Sequence, residues 1–143
     1  MMTEPSDVAA RIQNLATRFL RRARLMDDGS TLTSAQYSVL STLNAHTNIS
    51  LTELARLESV THPTMSRIIA TLIKLDLVER RDDPQDRRGT RLTLTAAGSA
   101  SYFSIYSRRL ALIESILAQL KPETVTDLIQ ALESTGLDQP RNT

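Results

Sequence analysis

Apolar residues recur in steps of three and four near the start of the chain, at Val8, Ile12, Leu15, Phe19, Ala23 and Met26. That spacing predicts a helix from Asp7 to about Met26 with one apolar face. Arg11, Arg18, Arg21, Arg22 and Arg24 fall on its other faces, and Asp27-Asp28-Gly29-Ser30 ends the pattern. Thr33 opens a second helix: its hydroxyl caps free backbone N–H groups, and Gln36 completes a capping box. Tyr37, Leu40 and Leu43 form that helix's stripe, and Asn44 to Asn48 is a polar loop. Ser50 and Glu53 suggest another capping box, opening a short helix through about Leu57 that buries Leu51, Leu54, Ala55 and Leu57. Glu58-Ser59-Val60 makes a tight connection. Thr61 then caps a helix reaching about Leu75, with Pro63 in the first turn, where its missing N–H does no harm. Met65, Ile68, Ile69, Leu72 and Leu75 form the predicted buried face.

Beyond Asp76 the period changes. Leu77 to Arg81 reads as a short strand, Asp82 to Thr90 as a polar loop holding Pro84 and Gly89, and Arg91 to Thr95 as the returning strand. Thr95 caps a long helix reaching about Leu120, with Ile105, Leu112, Ile113, Ile116, Leu117 and Leu120 as its stripe. Pro122 begins a last helix with Val125, Leu128, Ile129 and Leu132 on one face, and Gly136 stops it. The tail from Leu137 is expected to fray.

The order helix, short helix, tight turn, helix, charged hairpin defines a helix-turn-helix followed by a wing. In that motif the second helix lies in the major groove and its first turns meet base edges. At about 100° per residue, Pro63, Ser66, Arg67, Ala70 and Lys74 lie opposite the Met65-Ile68-Leu72 stripe, flanked by His62, Thr64 and Thr71. Small residues allow close approach. Arg67 offers a two-pronged contact to guanine, Ser66 and Thr64 offer hydroxyls, and Lys74 suits a phosphate. Arg87, Arg88 and Arg91, with Asp86 adjacent, gather at or beside the hairpin tip, where a wing reaches the minor groove. Either group alone also describes a solvated surface; their succession favours duplex DNA.

Composition narrows the alternatives. With 143 residues, 41% hydrophobic and 23% charged, the chain fits one globular domain with helical extensions. Aromatic residues are only 3%, so the core must be aliphatic. The net charge of +1 produces no global field, so a DNA surface must come from local clustering of basic residues. The absence of cysteine excludes disulfides, thiolate zinc sites and thiol redox sensing. No cofactor or metal is expected, because His46 and His62 lack a ligand spacing. The chain has no Gly-x-Ser-x-Gly elbow and no glycine-rich phosphate loop, which argues against an enzyme. The first ten residues carry Glu4 and Asp7 without an apolar run, and no stretch is apolar enough to span a bilayer; a cytoplasmic location away from membrane is expected.

The wing segment is similar to that of the MarR family of transcriptional regulators. That family's signature is Asp, any residue, Arg, five residues, Leu-Thr, two residues, Gly. Here it reads Asp86-Arg87-Arg88, Gly89 to Thr93, Leu94-Thr95, Ala96-Ala97 and Gly98. Leu51 to Ala55 and Thr61 to Arg67 also resemble the family's helix-turn-helix. One departure is Asp76, where members usually carry glycine before the Leu-Val strand; aspartate tolerates the left-handed backbone expected there. The resemblance implies that Arg88 enters the minor groove, that Asp86 pairs with a neighbouring arginine to hold the wing's shape, and that Pro63 to Arg67 meet the major groove. It also implies a homodimer with intertwined terminal helices, in keeping with apolar stripes that a domain of this size need not fully bury internally.

The expected architecture is therefore mainly α. Residues 1–32 form an N-terminal dimerisation helix, residues 33–98 a winged helix-turn-helix DNA-binding domain with a two-stranded β wing, and residues 99–143 the C-terminal dimerisation helices. The expected DNA-binding residues are Thr61, His62, Pro63, Thr64, Ser66, Arg67, Lys74, Asp86, Arg87, Arg88 and Arg91. The expected function is a repressor that binds a pseudo-palindromic operator. The resemblance further implies release by a small aromatic anion, for which Arg18, Arg21 and Arg22, with Tyr37 nearby, are the motivating residues. The alternative is a winged-helix protein-interaction module without DNA binding.

Overall fold

The computed structural model describes residues 4–27, 29–86 and 89–136. Among them the chain forms α1 (Pro5–Leu25), α2 (Ser34–Ala45), α3 (Leu51–Leu57), α4 (His62–Lys74), β1 (Val78–Asp82), β2 (Thr90–Leu94), α5 (Ala96–Leu117) and α6 (Pro122–Ser134). This is the mainly helical winged helix-turn-helix anticipated from the sequence.

Local chemistry explains the boundaries. The Thr33 hydroxyl accepts from the Gln36 N–H while the Gln36 side chain accepts from the Thr33 N–H, so that capping box is complete. At Ser50 only one half forms: its hydroxyl accepts from the Glu53 N–H, without the reciprocal bond. Thr95 caps α5 by accepting from the Gly98 N–H at 2.9 Å. Helix α1 begins at Pro5, two residues before the sequence-based start, because proline suits a first helical position. Helix α5 ends at Leu117 rather than near Leu120.

Two helices stop by the same left-handed device. After α3, the Ser59 N–H donates to the Arg56 carbonyl and the Val60 N–H to the Ala55 carbonyl, with Ser59 at φ 53°. After α4, the Asp76 N–H donates to the Ile73 carbonyl and the Leu77 N–H to the Leu72 carbonyl, with Asp76 at φ 58°. Both are Schellman endings, which satisfy carbonyls the helix leaves open. The second corrects one expectation. Leu75 is the C-cap of α4 and 44% exposed, because the turn at Asp76 begins before its side chain reaches the core.

The core lies where α2, α3, α4 and the hairpin meet. Leu40, Leu54, Met65, Ile69 and Leu72 are fully buried, joined by Val39, Leu43, Val78, Leu92 and Tyr102. The strands pair antiparallel, with Val78 opposite Leu94 and Asp82 opposite Thr90. The hairpin is pinned to the helices by a bridge in which the Leu92 N–H donates to the Ile49 carbonyl at 2.9 Å.

The terminal helices are different. Helix α1 buries only Ala23 of its predicted stripe; Val8, Ile12, Leu15 and Met26 are exposed and Phe19 is half-buried. Helix α6 buries no residue, leaving Leu128, Ile129 and Leu132 exposed. The segment just after α1 is tied to α5: the Arg109 guanidinium donates to both oxygens of Asp27, at 3.2 and 2.7 Å. The same guanidinium lies over the Tyr37 ring at 3.9 Å, and Tyr37 stacks on Tyr102.

Candidate nucleic-acid interface

The turn between α3 and α4 sets the approach of the second helix. Ser59 carries the left-handed step, and Glu58 is held by a hydrogen bond from the Thr42 hydroxyl of α2. Thr61 then starts α4, its hydroxyl accepting from the Thr64 N–H at 3.4 Å and donating to the Thr64 hydroxyl at 2.9 Å. Met65, Ile69 and Leu72 anchor α4 in the core, with Ile68 and Ile73 half-buried against it. The opposite face turns outward as its periodicity demands: His62, Pro63, Arg67, Ala70, Thr71 and Lys74 are exposed. Thr64 and Ser66 are half-buried, and the Thr71 hydroxyl bonds back to the Arg67 carbonyl, so that face presents fewer free hydroxyls than the sequence suggests.

The wing loop is organised by a residue that the sequence reading did not single out. The side chain of Asp83 is 8% exposed. One of its oxygens accepts from the Gln85 N–H at 2.9 Å, and the other accepts from Nε and a terminal nitrogen of Arg91, both at 2.8 Å. Its backbone N–H donates to the Gly89 carbonyl at 3.0 Å. The Gln85 N–H and the Arg91 guanidinium hold the Asp83 carboxyl below the usual carboxylate range, against the opposing effect of burial. The available signal was Asp83-Pro84, an aspartate whose side chain bonds the backbone two residues on.

The expected wing residues divide accordingly. Arg91 sits on β2 with its guanidinium against protein groups rather than at the loop tip. Asp86 is exposed in the loop, its N–H donating to the Asp83 carbonyl and its carbonyl accepting from the Gly89 N–H. Arg87 and Arg88 lie outside the described residues.

The expected effector residues also separate. Tyr37 lines a hollow with Leu20, Arg24, Ser34, Ser38, Ser41 and Arg109. Arg18, Arg21 and Arg22 do not line it; Arg18 faces a different hollow with Arg11, Asn14 and Leu15. The reason is rotational: Leu20 and Arg24, four residues apart, share the α1 face that lines this hollow. Burial raises the Tyr37 phenol above its usual range, with Tyr102 adding to the shift and Arg109 opposing it.

These features define a winged helix: a capped helix-turn-helix, an outward polar face on its second helix, and a braced hairpin. Residues 32–90 match the model of the MarR family. A search of curated protein sequences finds no match. Among solved structures, RV1404 from Mycobacterium tuberculosis is 24% identical, with 99% of this chain and 100% of that chain covered and a TM-score of 0.81. A MarR mutant from E. coli is 22% identical over 94% of this chain and 97% of that one, with a TM-score of 0.77. A MepR mutant from S. aureus, bound to an oligodeoxyribonucleotide, is 20% identical over 94% and 96%, with a TM-score of 0.67. The family-model match spans the helix-turn-helix and the start of the wing, and the likeness to these solved structures extends the same fold over nearly the whole chain. Among the described residues, no helix is long and apolar enough to cross a membrane.

Proposed function

We propose that this protein is a repressor that binds a pseudo-palindromic operator as a homodimer. The observation that carries the reading is the outward face of α4, where exposed His62, Pro63, Arg67 and Lys74 surround small Ala70 on a helix anchored by Met65, Ile69 and Leu72. A polar face of that shape suits the major groove, with Arg67 toward a guanine edge and Lys74 toward a phosphate. Thr61, Thr64 and Ser66 flank it at the helix start; Arg88 is the proposed minor-groove contact and Arg87 a further DNA contact. Dimerisation is supported by the unburied faces of α1 and α6, since apolar stripes on two helices of one chain call for a cover. A two-fold dimer reads half-sites about one helical turn apart.

Light scattering at micromolar concentration tests the assembly; a mass of one chain refutes it. Selection from random duplexes, followed by fluorescence anisotropy across a salt series, tests the DNA reading. The expected outcome is an enriched pseudo-palindrome and a steep dependence on salt. Arg67→Ala relaxes base preference at its position by roughly 1–3 kcal/mol, and Arg88→Ala weakens binding. Failure to bind any duplex at low salt leaves the protein-interaction module as the account. Release by a small aromatic anion is supported by the hollow beside Tyr37, where Arg24 supplies a cation and Arg109 is held by Asp27. Calorimetry with salicylate-like compounds tests it, and the absence of both heat and DNA release refutes it.

A further inference from the structure

We infer that Asp83 and Arg91 form a brace that sets the course of the wing relative to α4, so that both serve DNA binding as positioning residues and neither touches the duplex. This rests on the duplex-binding reading above. A two-stranded hairpin is marginal alone and needs anchoring to hold one direction. Arg91 supplies an anchor on two sides. Toward the wing, its Nε and one terminal nitrogen grip the Asp83 carboxylate, both at 2.8 Å. Toward the helices, its other terminal nitrogen reaches the Asn48 carbonyl at 3.5 Å, in the loop between α2 and α3. Asn48 stands at φ 59°, and the next residue, Ile49, accepts the Leu92 N–H at 2.9 Å. The guanidinium thus links the first arm of the loop, β2 and the segment that enters the helix-turn-helix.

Electrostatics keep it there. For Arg91 to turn to a phosphate it would abandon a carboxylate only 8% exposed, and an uncompensated buried charge is costly. The second arm closes over the same group: a Cβ on Gly89 would stand 3.1 Å from the Asp83 Cβ and 3.3 Å from its Oδ2. The loop is built around this carboxylate from both arms.

The test uses the full chain, the duplex enriched from the random pool, and the variants Asp83→Asn, Arg91→Gln and the two combined. Affinity is read by anisotropy across salt, and melting by circular dichroism. The brace predicts that each single variant weakens binding about tenfold and the double no further, because one interaction is lost in all three. The slope of log affinity against log salt keeps its wild-type value, since no phosphate contact is removed. A slope reduced by about 0.9 in Arg91→Gln, with Asp83→Asn binding as tightly as wild type, overturns the inference, as do additive losses. If Asp83→Asn does not fold, Arg91→Lys decides. A braced site needs the forked guanidinium, so lysine is as weak as glutamine at an unchanged slope; a phosphate accepts the ammonium, and rescue by lysine overturns the inference. A wild-type protein that binds no duplex at low salt fails the regulator reading instead. The brace is then judged by melting, where coupled losses sustain it and additive losses overturn it.

Discussion

Gly98→Ala is the sharpest test of how the wing joins the C-terminal helix. Gly98 lies in the first turn of α5, directly against the backbone of Leu77. A Cβ there would stand 1.9 Å from the Leu77 carbonyl oxygen, 2.8 Å from its carbon and 3.2 Å from its Cα. All three are backbone atoms, so no side chain can swing aside. The helix start must retreat from the strand by more than an ångström, and two hydrogen bonds stretch with it: the Thr95 N–H to the Leu77 carbonyl at 3.1 Å and the Thr95 hydroxyl to the Asp76 carbonyl at 2.6 Å. Overpacking costs roughly 1–3 kcal/mol, and the two hydrogen bonds about 1 kcal/mol each. Alanine's better helix propensity offsets about 1 kcal/mol. The net loss is about 2–4 kcal/mol. For 143 residues each kcal/mol corresponds to about 3 °C, so the melting point falls by about 6–12 °C. Circular dichroism melts at one fixed protein concentration measure this, since association makes Tm depend on concentration. Gly29→Ala is the control: nothing lies within 4 Å of its Cβ, so its cost is only the strain of φ 88°. A Gly98→Ala protein that melts within a degree of wild type would refute the steric argument.

Three other outcomes follow from the same geometry. Ser59→Gly and Asp76→Gly each relieve a left-handed backbone at φ 53° and 58°, and each raises stability by about 0.5–1 kcal/mol, read as a higher urea midpoint at unchanged slope; a fall in either midpoint shows that the native side chain contributes more than the strain costs. The folded Asp83 carboxyl titrates below its ordinary 3.8, so its contribution is present above that value and lost as pH falls through the lower folded value. Urea midpoints measured down to acid pH therefore drop more steeply for wild type than for Asp83→Asn, and parallel curves contradict the assignment. Removing one partner of the Asp27–Arg109 pair, whose side chains are 15% and 18% exposed, leaves a poorly hydrated charge. Arg109→Met lowers stability by roughly 1–3 kcal/mol, and the double variant with Asp27→Asn recovers part of it; an additive double variant would show that the two groups act separately.

The contrast between what the sequence disclosed and what it concealed has a physical origin. Helix starts were legible because Thr33, Thr61 and Thr95 cap their helices through bonds spanning three residues. The α4 core face was legible because Met65, Ile69 and Leu72 repeat at the helical period. The wing segment similar to the MarR signature was legible as spacing. Leu75 misled because periodicity carries no information about where a helix ends, and the Schellman turn at Asp76 intervened. Arg91 misled for a related reason. In a charge run every arginine looks alike, and only the fold reveals that one of them faces a buried carboxylate eight positions earlier. Arg18, Arg21 and Arg22 likewise look close to Tyr37 as a basic cluster, while the helical rotation of α1 presents Leu20 and Arg24 to the hollow instead.

The positions where local rules are broken point back to function. Asn48, Ser59 and Asp76 all hold left-handed backbone without being glycine, and they stand at the entry to α3, the turn before α4 and the entry to the wing. Each is a joint of the helix-turn-helix and wing, the unit proposed to meet DNA. A glycine would ease the strain and would also loosen the joint, because the unfolded and partly folded chain gains more freedom there. Two of the three joints are fastened by side chains from elsewhere in the chain: Arg91 reaches the Asn48 carbonyl, and the Thr95 hydroxyl bonds the Asp76 carbonyl. The third is flanked by Glu58, which the Thr42 hydroxyl holds. Strained joints clamped from outside keep α4 and the wing in one relation, which is what reading two adjacent grooves of a duplex requires. On this argument, Asp76→Gly stabilises the fold and yet weakens operator affinity, whereas a substitution that stabilises far from the joints leaves affinity unchanged. Equal affinity for Asp76→Gly and wild type, at a measurably higher melting point, would show that the joint at the wing does not need its rigidity.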